Sequence, residues 1–175
     1  MDFTADRVTV AGVSHHGEAR VALHRGDRVA TSALSGGMIT LGEGTRVALD
    51  AGTELELASA DEIRLVQGRL FLRVSQAPGL VVRVGETSIR DIGTVFGVDL
   101  TSGRARIDVT EGAVEIRGGG QVTQAAAGQF VDLGQSLLTP LPRPDGEALP
   151  GWVTQVLEAE RRARLEEFVP SAGGL

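Results

Sequence analysis

The chain has 175 residues, 42% hydrophobic and 23% charged, which fits one ordinary globular domain with room for a tail and a real core. Its formal net charge of −6 argues against a nucleic-acid surface, which needs a basic patch to displace counterions. The absence of cysteine excludes disulfides and thiolate catalysis, and no run of about 18 apolar residues offers a transmembrane helix.

The N-terminal stretch Met1-Asp2-Phe3-Thr4-Ala5-Asp6 is acidic and polar, unlike a signal peptide. From residue 7 to 133 apolar residues then recur with period two. Val8/Val10, Val21/Leu23, Ile39/Leu41, Val47/Leu49, Leu55/Leu57 and Ile63/Leu65 each line one face of a short strand. Leu70/Leu72/Val74, Val82/Val84, Ile107/Val109, Val114/Ile116 and Val131/Leu133 continue the pattern. Alternation of this kind marks half-buried strands, because successive side chains point to opposite faces.

Turn signals separate these runs: Ser35-Gly36-Gly37, Asp50-Ala51-Gly52, Ala77-Pro78-Gly79, Ser102-Gly103 and Gly118-Gly119-Gly120. Glycine supplies the turns, 24 residues of it, in a chain without a single asparagine. The predicted fold is all-β: stacked antiparallel strands in two layers, with solenoid-like coils as a variant. Gly44, Gly68 and Gly112 each follow Glu or Gln and open an alternating strand, a quasi-repeat whose apolar phase shifts by one after Gly44.

The β-domain is predicted over 1–134. Pro140, Pro142, Pro144 and Pro150 then remove backbone donors, so 135–151 reads as an extended linker. A helix is predicted over 152–169, with Val153, Val156, Leu157, Leu165 and Phe168 near one face. Glu158 and Arg162 form a favourable i,i+4 pair on it.

Chemistry-bearing constellations are scarce, and neither an enzyme nor a cofactor is expected. His15, His16, Glu18 and His24 make a poor metal site, since adjacent histidines on a strand point opposite ways. Ser14 lies beside His15, but no Gly-x-Ser-x-Gly elbow exists. Arg25-Gly26-Asp27 reads as a turn between strands rather than an adhesion motif. Gly118-Gly119-Gly120 lacks the following helix that a phosphate cradle requires.

If the apolar phase faces inward, Arg64, Arg73, Arg83, Arg106 and Arg117 face outward with Asp108 and Glu115. This is either a solvated face with cross-strand ion pairs or, with Trp152, a candidate docking face for an acidic partner or a polyanionic envelope polymer.

Three segments carry a resemblance: Ile92-Gly93-Thr94-Val95-Phe96-Gly97-Val98, then Val109 to Ile116 with Glu111 and Gly112, then Ala127-Gly128-Gln129. Together they resemble the C-terminal half of the periplasmic β-domain of the FecR family, membrane-spanning regulators of iron-responsive sigma factors. Gly42 to Leu49, including Gly44, and Leu65 to Val74, including Gly68, are similar to the family's earlier segments. Arg69 and Leu72 depart from the pattern there, where Glu and aromatic residues are usual. A structural role is expected for Gly93 and Thr94, and a core position for Phe96 and Val98.

The resemblance implies a sensor and relay segment outside the cytoplasmic membrane. It would act by protein–protein contact with an outer-membrane receptor's signalling domain or another envelope protein. Family members carry a cytoplasmic helical domain and one membrane span ahead of this domain, so the chain is expected to be a piece of a membrane-anchored protein. The rival reading is a non-catalytic envelope module that binds a structural polymer.

Overall fold

The computed structural model describes residues 2–34, 36–41, 45–74, 79–101, 103–135, 137–144, 151, 153, 154 and 158; for 2–8 and 16–20 it describes the backbone alone. The chain divides into two units, Met1–Pro144 and Asp145–Leu175. In the second, Gly151, Val153, Thr154 and Glu158 are helical, and the rest of the predicted helix, Trp152 included, lies outside the described residues.

The first unit is built of strands: β1 (Asp2–Val10), β2 (Val13–Ala22), β3 (Arg28–Thr31), β4 (Gly37–Leu41), β5 (Thr45–Leu49), β6 (Glu54–Leu57), β7 (Glu62–Val74) and β8 (Val81–Val84). They continue as β9 (Thr87–Asp91), β10 (Val95–Thr101), β11 (Arg104–Glu111), β12 (Ala113–Gly118), β13 (Gln121–Ala126), β14 (Gln129–Asp132) and β15 (Leu141–Pro142). The protein is all-β, its many-stranded mixed sheet not closed into a barrel.

The pairings divide into two ladders. One runs β3-β6-β7-β8-β9-β12-β13. The other runs β4-β5-β7-β10-β11-β14-β15. Two strands serve both. Asp2–Ala5 of β1 pair with β4 and Val8–Val10 with β3. Within β7, Ile63 to Gln67 pair with β6, while Gly68 to Val74 pair with β10 and β5.

Among the described side chains, the alternating sets legible in the sequence point into one core. Val29, Leu55, Ile63, Val82, Ile89, Val114 and Ile116 of the first ladder are fully buried in the same cluster as Ile39, Val47, Leu70, Leu72, Phe96, Val98, Ile107 and Val131 of the second. Each such side chain contributes roughly 1.5–3 kcal/mol of burial.

One pairing departs from the antiparallel expectation. β7 and β8 run parallel, Ile63 opposite Val82 and Leu65 opposite Val84. The reason is the bend in β7: its second half leaves for the other ladder, so the chain returns to the start of β7 before β8 begins.

The bend is stapled by a glycine and a threonine. Gly68 has φ +90°, and a Cβ there would lie 2.5 Å from both Cα and Oγ1 of Thr53. Thr53 is fully buried; its hydroxyl donates to the Arg69 carbonyl at 3.1 Å and accepts from the Arg69 amide at 3.0 Å. One hydroxyl thus satisfies both backbone groups of the residue at the corner, where the ladder partner changes.

Candidate functional site

A second joint of the same construction lies between β9–β10 and β11–β12, and it gathers most of the motif residues. Gly93 turns the chain with φ +73°. Gly112 has φ +72°, and a Cβ on it would collide with the Gly93 carbonyl oxygen and approach Thr94 Cα at 3.2 Å. Thr94, 1% exposed, donates its hydroxyl to the Ala113 carbonyl at 2.5 Å and accepts from the Ile92 amide at 3.3 Å. Ala127 donates to the Gly112 carbonyl at 2.9 Å and Gly128 to the Val109 carbonyl at 3.0 Å.

Phe96 and Val98 follow on β10, both fully buried, with Phe96 opposite Leu72 on one side and Val109 on the other. Glu111 is exposed at the end of β11. Gly44 lies outside the described residues.

The two joints share a local sequence that the alternation pattern alone does not reveal. Asp50-Ala51-Gly52-Thr53 faces Gly68, and Asp91-Ile92-Gly93-Thr94 faces Gly112. In each, the threonine hydroxyl donates to the carbonyl of the residue after the facing glycine, Arg69 or Ala113. A second amide, from Asp50 or Ile92, reaches that same carbonyl. Asp91 is 2% exposed and accepts from the Gly93 amide at 3.2 Å.

Three of the five predicted outward arginines share one face of the first ladder. Arg64 stands opposite Arg83, Arg83 opposite Ser88, and Ser88 opposite Arg117. One residue pair along lie Glu62, Val81, Arg90 and Glu115. They line a shallow depression of about 440 Å³ with Asp61 and Gly79.

The charges there alternate in sign. Arg64 pairs with Glu56 at 3.4 Å, Arg83 with Glu62 at 2.8 Å and Arg117 with Glu115 at 2.8 Å. The Arg117 hydrogen bond holds the Glu115 carboxyl below its usual range, and Glu115 in turn raises the Arg117 guanidinium. Asp61 is also lowered, first by the Ser59 hydroxyl at 2.6 Å, then by its own backbone amide, with Arg90 adding a smaller attraction.

Arg73 and Arg106 belong to the other ladder. Arg73 stands opposite Arg46 and Val95. Arg106 grips the Asp108 carboxylate through Nε at 3.0 Å and Nη2 at 3.2 Å, with its guanidinium 3.9 Å above the Phe130 ring. Arg143 reaches the same carboxylate at 3.5 Å. The arginine stripe is therefore divided between the two ladders, and on the second Arg73 and Arg106 stand at opposite ends of β10.

The remaining candidates stay apart. Arg25-Gly26-Asp27 forms the turn between β2 and β3, where Asp27 accepts from the His24 amide at 2.7 Å. Among the described residues no group of His, Asp and Glu is placed to hold a metal ion. No described helix is long and apolar enough to cross a membrane.

An all-β domain of two bent ladders, stapled by paired Gly-Thr joints, is thus the class of protein defined here. The FecR protein family model matches residues 27–115, and the chain belongs to that family. Two crystal structures of a candidate anti-sigma factor from Parabacteroides distasonis ATCC 8503 share the fold. Each is 21% identical with a TM-score of 0.52, over 70% of this chain and 57% of theirs. The chain thus spans little more than half the length of that protein. No curated protein matches the chain.

Proposed function

We propose that this domain is the extracytoplasmic sensing and relay part of a FecR-type sigma-factor regulator, acting through protein–protein contact and without catalysis. The observation that carries this reading is the family match over 27–115, a span that contains both Gly-Thr joints. The fold shared with a candidate anti-sigma factor supports it. So does the face of alternating charge around Arg83, Arg90 and Arg117, which offers a protein surface many polar contacts.

Two measurements on the full-length protein in its native cell test this. Removal of residues 27–115 is expected to uncouple transcription by the cognate sigma factor from its inducing signal; an unchanged response overturns the role in sigma control. Leu137→Cys places a thiol at an exposed position of a stretch that has no cysteine of its own, with the parent protein as the labelling control. It should react with a membrane-impermeant maleimide in cells whose outer membrane alone is permeabilised. Protection until the inner membrane is broken overturns the location.

A further inference from the structure

Among the described strands, three pair on one side only: β2 with β1, β13 with β12, and β15 with β14. Open edges invite pairing with other chains, and proteins guard them with charge, proline or bulges. Two of the three are guarded. β2 carries His15, His16, Glu18 and Arg20, and β15 has only two residues, among Pro140, Pro142 and Pro144.

β13 has none of these devices. Its sequence is Gln121-Val122-Thr123-Gln124-Ala125-Ala126, without charge or proline, and it pairs with β12 in unbroken register.

The direction of its backbone groups follows from its end. The Ala127 amide turns toward β12 and bonds the Gly112 carbonyl, while the Ala126 amide turns away and bonds Gln129 Oε1 at 2.8 Å. Amides alternate along a strand, so those of Val122 and Gln124 point outward like that of Ala126. Neither meets a partner among the described residues. Beside them Val122 is an apolar side chain 59% exposed, next to Arg117, and Gln124 stands next to Glu115.

We propose that β13 receives an extended segment of the protein partner by strand addition, antiparallel and hydrogen-bonded at Val122 and Gln124. This rests on the protein-contact reading above. The partner segment carries an apolar side chain opposite Val122, where cross-strand packing rewards it, and no proline at the two bonded positions. A second copy of the chain, two-fold paired about Thr123 with Val122 against Gln124, would use the same two amides, and self-association in solution distinguishes it from the partner segment.

Val122→Lys and Gln124→Pro in the full-length protein test the proposal. The proline ring replaces an outward amide, so pairing with β12 survives. Signal-dependent transcription should fall roughly two- to tenfold with Gln124→Pro, which loses one hydrogen-bond donor. It should also fall with Val122→Lys, which keeps the backbone bonds and puts a charge where the apolar cross-strand contact forms. Gln124→Thr, which keeps the backbone donor, should retain the response. Melting curves of the purified chain show whether each variant folds; if Gln124→Pro does not, Val122→Lys carries the test.

An unchanged response in the folded variants, while removal of 27–115 abolishes it, overturns the edge proposal and leaves the proposed function standing. If removal of 27–115 also has no effect, the functional reading itself has failed. Concentration-dependent dimerisation of the purified chain, abolished by Gln124→Pro, assigns the edge to a second copy and overturns the partner assignment.

Discussion

The α-carbon of Gly112 sits so close to the carbonyl oxygen of Gly93 that no side chain can stand between them. Both residues turn with positive φ, but for different reasons. Gly93 has open space where a Cβ would go and needs only the backbone conformation; Gly112 needs both the conformation and the space. Gly112→Ala should therefore cost more than the roughly 1–3 kcal/mol of left-handed strain alone. Gly119→Ala, with φ +55° and open space, is the matched control and should stay within that strain. Urea melts of the two variants compare them directly, and equal losses would show that the contact with Gly93 is not limiting.

Thr94→Val keeps the shape of the side chain and removes its hydroxyl. The Ala113 carbonyl then retains the Ile92 amide and loses its 2.5 Å donor. A loss of about 1–3 kcal/mol is expected, the usual cost of an unmade buried hydrogen bond. Thr53→Val at the other joint should cost a similar amount, because that hydroxyl likewise serves one amide and one carbonyl, both of Arg69.

Phe96→Ala removes a fully buried ring from the centre of the second ladder. About 3–5 kcal/mol of stability should disappear in denaturant melts. A loss under about 1 kcal/mol would mean that the neighbours collapse into the space.

The Asp61 carboxyl titrates below its ordinary value of 3.8, chiefly because the Ser59 hydroxyl bonds it. Ser59→Ala should move its pKa upward, read by carbon-detected NMR titration. The sign for stability follows from the depressed value. The contribution is present above the unfolded carboxyl's pKa and is lost as pH falls through the folded one. The variant should therefore fall below the parent in melting temperature at neutral pH, and the gap should close in strong acid.

The core was legible because alternation is a local signal. Ile63/Leu65, Val82/Val84 and Val114/Ile116 needed only the pleat to place them. The route of β7 was not legible: Leu70-Phe71-Leu72 is buried without a break, so period two fades just where the strand changes ladders. The parallel pairing with β8 was hidden for the same reason.

Of the site, the glycines Gly68, Gly93 and Gly112 stood out, but their partners did not. The repeated Asp-x-Gly-Thr at 50–53 and 91–94 was present in the sequence. It sits at strand ends, outside any apolar period, so alternation does not mark it. The arginine stripe shared a phase without sharing a ladder, and phase alone cannot tell Arg106 from Arg83.

β7 is a single covalent strut common to both ladders. Its first half is held by β6 and β8, and its second by β5 and β10. Neither ladder can come apart without unzipping a strand on which the other depends, so the β-unit should lose its amide protection in one step rather than layer by layer. The outward Arg64 and the buried Leu72 opposite Phe96 therefore lie on one strand, and a covalent path around the Gly68 corner joins the outer face of one ladder to the core of the other.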